Sequence, residues 1–336
     1  MFADLAKAAA ALLAAATLNT AAYGQAKAPD FTMKISFATI NDQNQQWANW
    51  YKEAVEKGSN GRISAQIFPA SQLGPVPRQV EGVQLGTIEV VLLPADFFVG
   101  LDARYGVFSI PGLFKDMKNA AAAFADPALN NEILAIGEAK GMVGITAFVY
   151  STVDYFAKEP IRTLEDFKGK KFRINATPAE RERMRVLGAT AVPMPTTEVI
   201  PALQRGAIDG TQSAIALFVN FKYIDIGKVL TQTDDTMVAP IAVVSKVWLD
   251  RLPQELQALV VEEGRKLQPR VQARSFEVLE FMRKRWGEAG GEIVKLAPTE
   301  QSKLNELLKP VGAEVTKSSP PLKAFYERVR DVVAKH

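Results

Sequence analysis

Two short phrases far apart in the chain, Val83-Gln84-Leu85-Gly86-Thr87-Ile88-Glu89 and Leu203-Gln204-Arg205-Gly206-Ala207-Ile208-Asp209, constrain its fold more than any other feature. In each, a helical pattern ends at a glycine, the residue suited to the left-handed position after a helix. An Ile-acid pair then starts a strand. One local arrangement used twice implies two similar lobes, and 336 residues exceed a single comfortable core.

Strands and helices alternate around both phrases. The first series runs from the strand MKISFA (33–38) through a helix carrying WANWYKEAVEKGSNG, the strand RISAQIF (62–68), the helix VPRQVEGVQLG and the strand TIEVVLLP. A helical stretch over 117–139 leads to the apolar strand MVGITAFVY (142–150). The second series is KKFRI, a helix over PAERERMRVLG, the strand TAVPM, the helix TTEVIPALQRG and the strand AIDGTQ. This order predicts an α/β fold in which helices cover largely buried sheets. A long helical pattern over 254–289, kinked at Pro269 and ended by Gly290-Gly291, is long enough to brace two lobes. A last strand, EIVKL, and two closing helical segments follow.

Composition narrows the chemistry. Cysteine is absent and the only histidine is the terminal His336, so thiol nucleophiles, histidine bases and the usual zinc ligands are excluded together. Forty basic against 37 acidic residues leave a formal charge of +3 with no long single-sign block, which argues against a nucleic-acid partner. The N-terminal MFADLAKAAAALLAAATLNTAAYGQAKA has a lysine before a short apolar run and small residues at Ala22 to Gly24, the pattern of a cleavable signal peptide over 1–24. A secreted, processed chain is expected, and no later segment is apolar enough to span a membrane.

Within KKFRI, Phe172 and Ile174 read as buried strand residues, which leaves Arg173, a cation that cannot shed its charge, among them. A surface ion pair is one reading; a fixed fork for a ligand's carboxylate is the other. Arg181, Arg183 and Arg185 interleave with Glu180 and Glu182 and read as a solvated helix face.

FPASQLG, VQLGTIEVV, KGKKFRI, VLGATAVPMPTTEVIPALQRGAIDG and VWLDRLPQELQALV resemble, in order and spacing, the solute-binding proteins of TRAP (tripartite ATP-independent periplasmic) transporters, over about residues 33–330. The resemblance implies a two-lobed periplasmic binding protein, each lobe a mixed sheet flanked by helices, that closes on an organic acid. It implies delivery of that acid to a permease made of a small and a large integral membrane subunit. Lobe one is expected over 28–150 plus 239–278 and lobe two over 151–238 plus 279–336, with 254–289 as the connecting helix. The family's carboxylate-binding arginine falls on Arg173. Where the family often carries a Glu-Asn type pair, this chain has Gln212 and Ser213, and Val153 stands where sialic-acid-binding members have a second arginine.

Asp96 and Phe97 follow a strand and so lie where open α/β sheets place ligands. Asn41 and Trp47 after the first strand, and Asn175, Thr196 and Phe218 in the second series, complete the candidate ligand-binding set. The expected protein is a monomeric receptor, not an enzyme, with no cofactor or metal, for a monocarboxylate with an apolar or aromatic body. Alternatives are a ligand receptor for a sensor kinase on the same fold, and a carboxylate-based hydrolase using Asp96, Asp154 or Glu198.

Overall fold

The computed structural model describes residues 28–336 apart from Ala176; the expected signal peptide lies outside the described residues. The strands are β1 (Phe31–Phe37), β2 (Ile63–Phe68), β3 (Val90–Pro94), β4 (Met142–Ala147), β5 (Ser151–Ala157), β6 (Lys171–Ile174), β7 (Thr190–Pro193), β8 (Gly210–Ser213), β9 (Val229–Val238), β10 (Pro240–Ser245) and β11 (Glu292–Lys295). The first helices are α1 (Gln43–Gly58), α2 (Val76–Leu85), α3 (Met117–Ala125), α4 (Pro127–Ala135), α5 (Pro178–Val186), α6 (Thr196–Gln204) and α7 (Ile215–Asn220). They are followed by α8 (Lys246–Leu249), α9 (Gln254–Lys266), α10 (Gln268–Glu288), α11 (Pro298–Leu308), α12 (Val311–Thr316) and α13 (Pro320–Val333).

Two mixed sheets result, in the orders β2-β1-β3-β10-β4 and β11-β9-β5-β8-β6-β7. Each contains the same parallel core: β1 lies between β2 and β3, and β6 lies between β7 and β8. The repeated phrase closes the last helix of each core. Gly86 and Gly206 both have positive φ, 74° and 70°, the left-handed conformation that lets the chain turn from α2 into β3 and from α6 into β8.

The sheets are joined by exchange of strands. Consecutive β4 and β5 lie in different sheets, as do consecutive β9 and β10, and the partners run antiparallel, β10 with β4 and β5 with β9. Two extended crossings therefore link the halves. In the second, Thr152 pairs with Met237 and Asp154 with Gln232, so residues 233–236 loop out of the ladder, with Asp234 at φ 51°.

Strands β3 (VVLLP) and β10 (PIAVVS) are apolar on both faces because helices cover both. One apolar cluster runs from Ile35 and Leu92 of the first sheet to Phe156 and Leu230 of the second, and a smaller one gathers Tyr155, Phe167 and Phe172. The long 254–289 pattern is divided at Leu267 into α9 and α10, with Pro269 in the first turn of α10, where its missing N–H has no helical partner to deprive. Helix α9 packs on β4 and α1, whereas α10 touches α1, α7 and β11 and so contacts both halves. The closing α13 packs on α3 and the 103–109 segment, so the chain's last helix lies against the first sheet's layer.

Candidate functional site

A cavity of about 60 Å³ lies between the two sheets, beyond the carboxyl ends of β3 and β6. Roughly 10–15 Å³ of such space holds one water, so the enclosure suits a small molecule. Its lining is mixed, with Leu92, Pro94, Val153, Leu217, Met237 and Val238 among the apolar residues and Arg173 among the polar ones.

Arg173 occupies the third position of β6, hydrogen-bonded on both edges, with Val192 of β7 and Thr211 of β8 as its cross-strand neighbours. Strand alternation sends Phe172 to the opposite face, against Tyr155 and Phe167. The Arg173 side chain is 3% exposed. Its Nε donates to the Met194 carbonyl at 3.0 Å and its Nη2 to Thr196 Oγ1 at 3.2 Å, two neutral acceptors that fix the plane of the fork. Among the described residues it forms no ion pair and its Nη1 has no hydrogen-bond partner. Burial lowers its pKa, opposed by Glu180, Tyr223 and Asp96, yet a guanidinium remains a cation. Its charge is thus desolvated and uncompensated by direct contact.

A second buried arginine has the opposite fate. Arg183 on α5 is not part of a solvated face: Nη1 pairs with Asp235 at 3.1 Å and bonds Thr236 Oγ1 at 2.5 Å, and Nη2 donates to Gln212 Oε1. Asp235 and Thr236 come from the looped-out residues of β9. Burial works against this charge, but Tyr155, Asp235 and Glu180 outweigh it and raise the pKa. On a helix, residues two apart point to nearly opposite sides, so Arg181, Arg183 and Arg185 could not share a face. Arg185 indeed pairs with Glu182 at the surface, whereas Arg183 lies with Glu180 on the inner side. That geometry was the signal available in the sequence.

Glu180 is held by local structure. The Thr-Pro-Ala-Glu start of α5 forms a capping box, with Glu180 N–H donating to Thr177 Oγ1 and Thr177 N–H to Glu180 Oε2, both at 3.0 Å. Its Oε1 also accepts from the Asn175 N–H and from Gln212 Nε2, at 3.2 and 2.6 Å. Gln212 is therefore locked between Arg183 and Glu180.

Asp96 enters from the other half, on the helical turn Ala95–Phe98 after β3. Ser109 Oγ donates to its Oδ1, and Asn175 Nδ2 donates to Oδ2 at 3.0 Å, a bond that spans the cleft. Burial, with Glu180 adding repulsion, pushes the Asp96 pKa up to about 6 against the opposing effects of Ser109, Asn175 and Arg183.

Of the residues singled out from sequence, Arg173, Asp96, Phe97, Asn175, Thr196, Gln212 and Ser213 all line the cavity. Three others lie outside its lining. Trp47 is fully buried, stacks on Tyr51 at 4.8 Å and donates its Nε1 to Thr146 Oγ1 at 3.1 Å, because helical spacing turns it into the core of the first sheet. Phe218 is fully buried against Phe156 and Tyr223. Asn41 is exposed, at φ 52°, on a separate surface hollow with Asn220 and Arg285. The three carboxylates of the hydrolase alternative are not assembled: Asp154 is buried in β5 outside the cavity lining and Glu198 is exposed on α6. Among the described residues no group of three or more acidic, histidine or cysteine side chains is placed to hold a metal, and no helix is long and apolar enough to cross a membrane.

The chain is similar to known proteins. The family model for bacterial extracellular solute-binding protein, family 7 (DctP), matches residues 36–319. The C4-dicarboxylate-binding periplasmic protein DctP of Vibrio cholerae is 26% identical over 94% of this chain and 95% of its own length. The 2,3-diketo-L-gulonate-binding periplasmic protein YiaO of Escherichia coli is 25% identical over 90% of this chain and 87% of its own. A TRAP periplasmic solute-binding protein of Xanthobacter autotrophicus, solved with bound β-D-galacturonate, superposes with a TM-score of 0.82 at 25% identity, covering 90% of this chain and 99% of that one.

Proposed function

We propose that this chain, which belongs to bacterial extracellular solute-binding protein family 7, is a periplasmic receptor that closes its two halves on the carboxylate of a small organic acid. It hands that acid to the membrane subunits of a TRAP permease. The observation that carries the reading is the state of Arg173: a buried fork, oriented by two neutral oxygens and free of any ion pair among the described residues, facing a cavity of ligand size. A carboxylate satisfies such a fork with charge-assisted bonds that the water-poor surroundings strengthen. The three relatives named above all bind carboxylate-bearing molecules, by their names or by the ligand in the crystal.

The finer reading is a monocarboxylate whose body is apolar or aromatic. Arg183 cannot serve a second carboxylate without abandoning Asp235, and the cavity lining includes the apolar Leu92, Pro94, Val153, Leu217 and Met237. The receptor is expected to act as a monomer.

A thermal-shift and calorimetric screen of organic acids against the wild type and Arg173→Ala tests the assignment. Saturation to ~100 times Kd stabilises a protein by ~2.7 kcal/mol. Acids with an apolar body should raise the melting temperature of the wild type alone. If no acid binds, or if Arg173→Ala binds the same acids equally well, the assignment is wrong.

A further inference from the structure

The charges around the cavity do not balance in the way a receptor for an anion would require. Its lining contains two cations, Arg173 and Arg183, and two carboxylates, Asp96 and Glu180; a third carboxylate, Asp235, stands directly behind Arg183. With all five ionised the cluster is already net negative before an anion arrives. A bound carboxylate would add a further negative charge, and among the described residues no other cation lines the space. Charge balance favours the loss of charge from one of the three internal acids.

Hydrogen bonding shows which one can. Glu180 accepts from two backbone N–H groups and from Gln212 Nε2. Backbone donors cannot reverse, so a proton placed there would face donors. Asp235 faces the Arg183 guanidinium and accepts from Thr233 Oγ1 and Tyr155 OH. Asp96 differs. Its partners are a hydroxyl, Ser109, and a primary amide, Asn175, and both can rotate to present an oxygen instead of a hydrogen. Protonation of Asp235 would remove the charge that pairs with Arg183, whereas Asp96 can accept a proton with both its bonds kept and no ion pair lost.

Its position adds the coupling. Asp96 belongs to the half of the molecule that carries β3, whereas Arg173, Glu180, Arg183 and Asn175 lie on or beside β6 and α5. The repulsion from Glu180 and the loss of water therefore act on Asp96 only when the halves meet. The elements packed against its turn carry cations that are already engaged: Arg104 of the 103–109 segment pairs with Asp102 and Arg78 of α2 with Glu81 at the surface, while Tyr150, on the cavity wall, donates to Asp42.

We propose that this receptor takes up a proton from solvent together with its acid anion, with Asp96 as the group that receives it on closure and its carboxyl O–H directed to Ser109 or Asn175. The inference rests on the carboxylate-receptor reading above. The upward shift of Asp96, caused by burial and Glu180, agrees with it, and an anion on Arg173 moves the shift further in the same direction. The sign follows from linkage. A carboxyl like Asp96 in water ionises near 3.8, whereas between the two halves Asp96 is pushed up to about 6. Between those values closure consumes a proton, so affinity falls as pH rises, by up to about tenfold per unit.

The test is calorimetric titration of the full chain with benzoate, galacturonate and succinate, at pH 5 to 6, in buffers of differing ionisation enthalpy. The expected result for any probe that binds is uptake of half to one proton per site in the wild type. Asp96→Asn should take up almost none, bind at least as tightly at pH 8, and show a flattened pH profile. Binding with no proton uptake by the wild type overturns the proposal and leaves the receptor reading standing. Failure of all three probes to bind counts against the receptor reading, and the proposal goes with it.

Discussion

The two buried arginines should respond to the same substitution with opposite consequences for stability, and the structure allows the size of each to be worked out. In Arg173→Met the apo protein loses hydrogen bonds to the Met194 carbonyl and Thr196 Oγ1, at ~1.5–3 kcal/mol each for a charged donor. It also loses a desolvated charge that no acid compensates by direct contact, whose burial is itself unfavourable by several kcal/mol. These contributions oppose one another, so the net change should lie within about 1 kcal/mol of zero. In Arg183→Met the same chemistry strips Asp235, 2% exposed at its side chain, of its ion pair and releases Gln212 and Thr236. Breaking a buried pair from one side typically costs ~3–5 kcal/mol. At ~2–4 °C per kcal/mol this is a drop of roughly 6–20 °C in Tm. Binding should separate the variants the other way. Arg173→Met should lose ~3–5 kcal/mol of affinity, two to four orders of magnitude, while remaining folded. Urea unfolding with and without the acid identified by screening would measure both quantities. An Arg173→Met protein as destabilised as Arg183→Met would show that Arg173 is an internal structural cation, and the view of it as a waiting fork would have to be given up.

Other perturbations test separate parts of the account. Burial, with added repulsion from Asp234 and Asp235 and opposition from Arg283, pushes the pKa of Asp154 up to about 8. Its folded value is above its unfolded one, so its contribution to stability is complete below pH ~3.8 and disappears as pH rises through 8. Asp154→Asn should therefore lose less stability than the wild type between pH 6 and 9, and equal slopes in denaturant titrations would contradict this. At the paired glycines, Gly206→Ala meets no atom within 4 Å and should cost only the ~1–2 kcal/mol of a left-handed alanine. Gly86→Ala also presses on Val247 at 3.0 Å, so its unfolding midpoint should fall further. Trp47→Phe removes the bond to Thr146 and should lower stability by ~1 kcal/mol with ligand affinity unchanged; weakened binding would return Trp47 to the site.

Much of this architecture is legible in the chain itself because its determinants are local. Helix ends marked by glycine, strands apolar on both faces and the duplicated phrase depend on neighbours within a few residues, and they read correctly as two α/β sheets with a shared core order. At Arg173 the strand pattern by itself left a surface ion pair and a ligand fork both open, and the family resemblance chose the fork. Trp47, Phe218 and Asn41 were misplaced because closeness to a strand end is a one-dimensional cue, whereas the direction of a side chain depends on where its helix lies against the sheet.

From its sequence alone the protein acquires two lobes, the strand that carries the fork, and a chemistry without thiols or internal histidine. Which of two buried arginines stays available, and which acid can hold a proton, are decided only by the folded chain. Arg183 is neutralised by Asp235, brought from a distant strand by residues that leave their ladder. Asp96 meets Glu180 and Asn175 only where two separately built sheets approach. Electrostatic free energy depends on distance through space and on exclusion of water, and neither is a property of position along the chain.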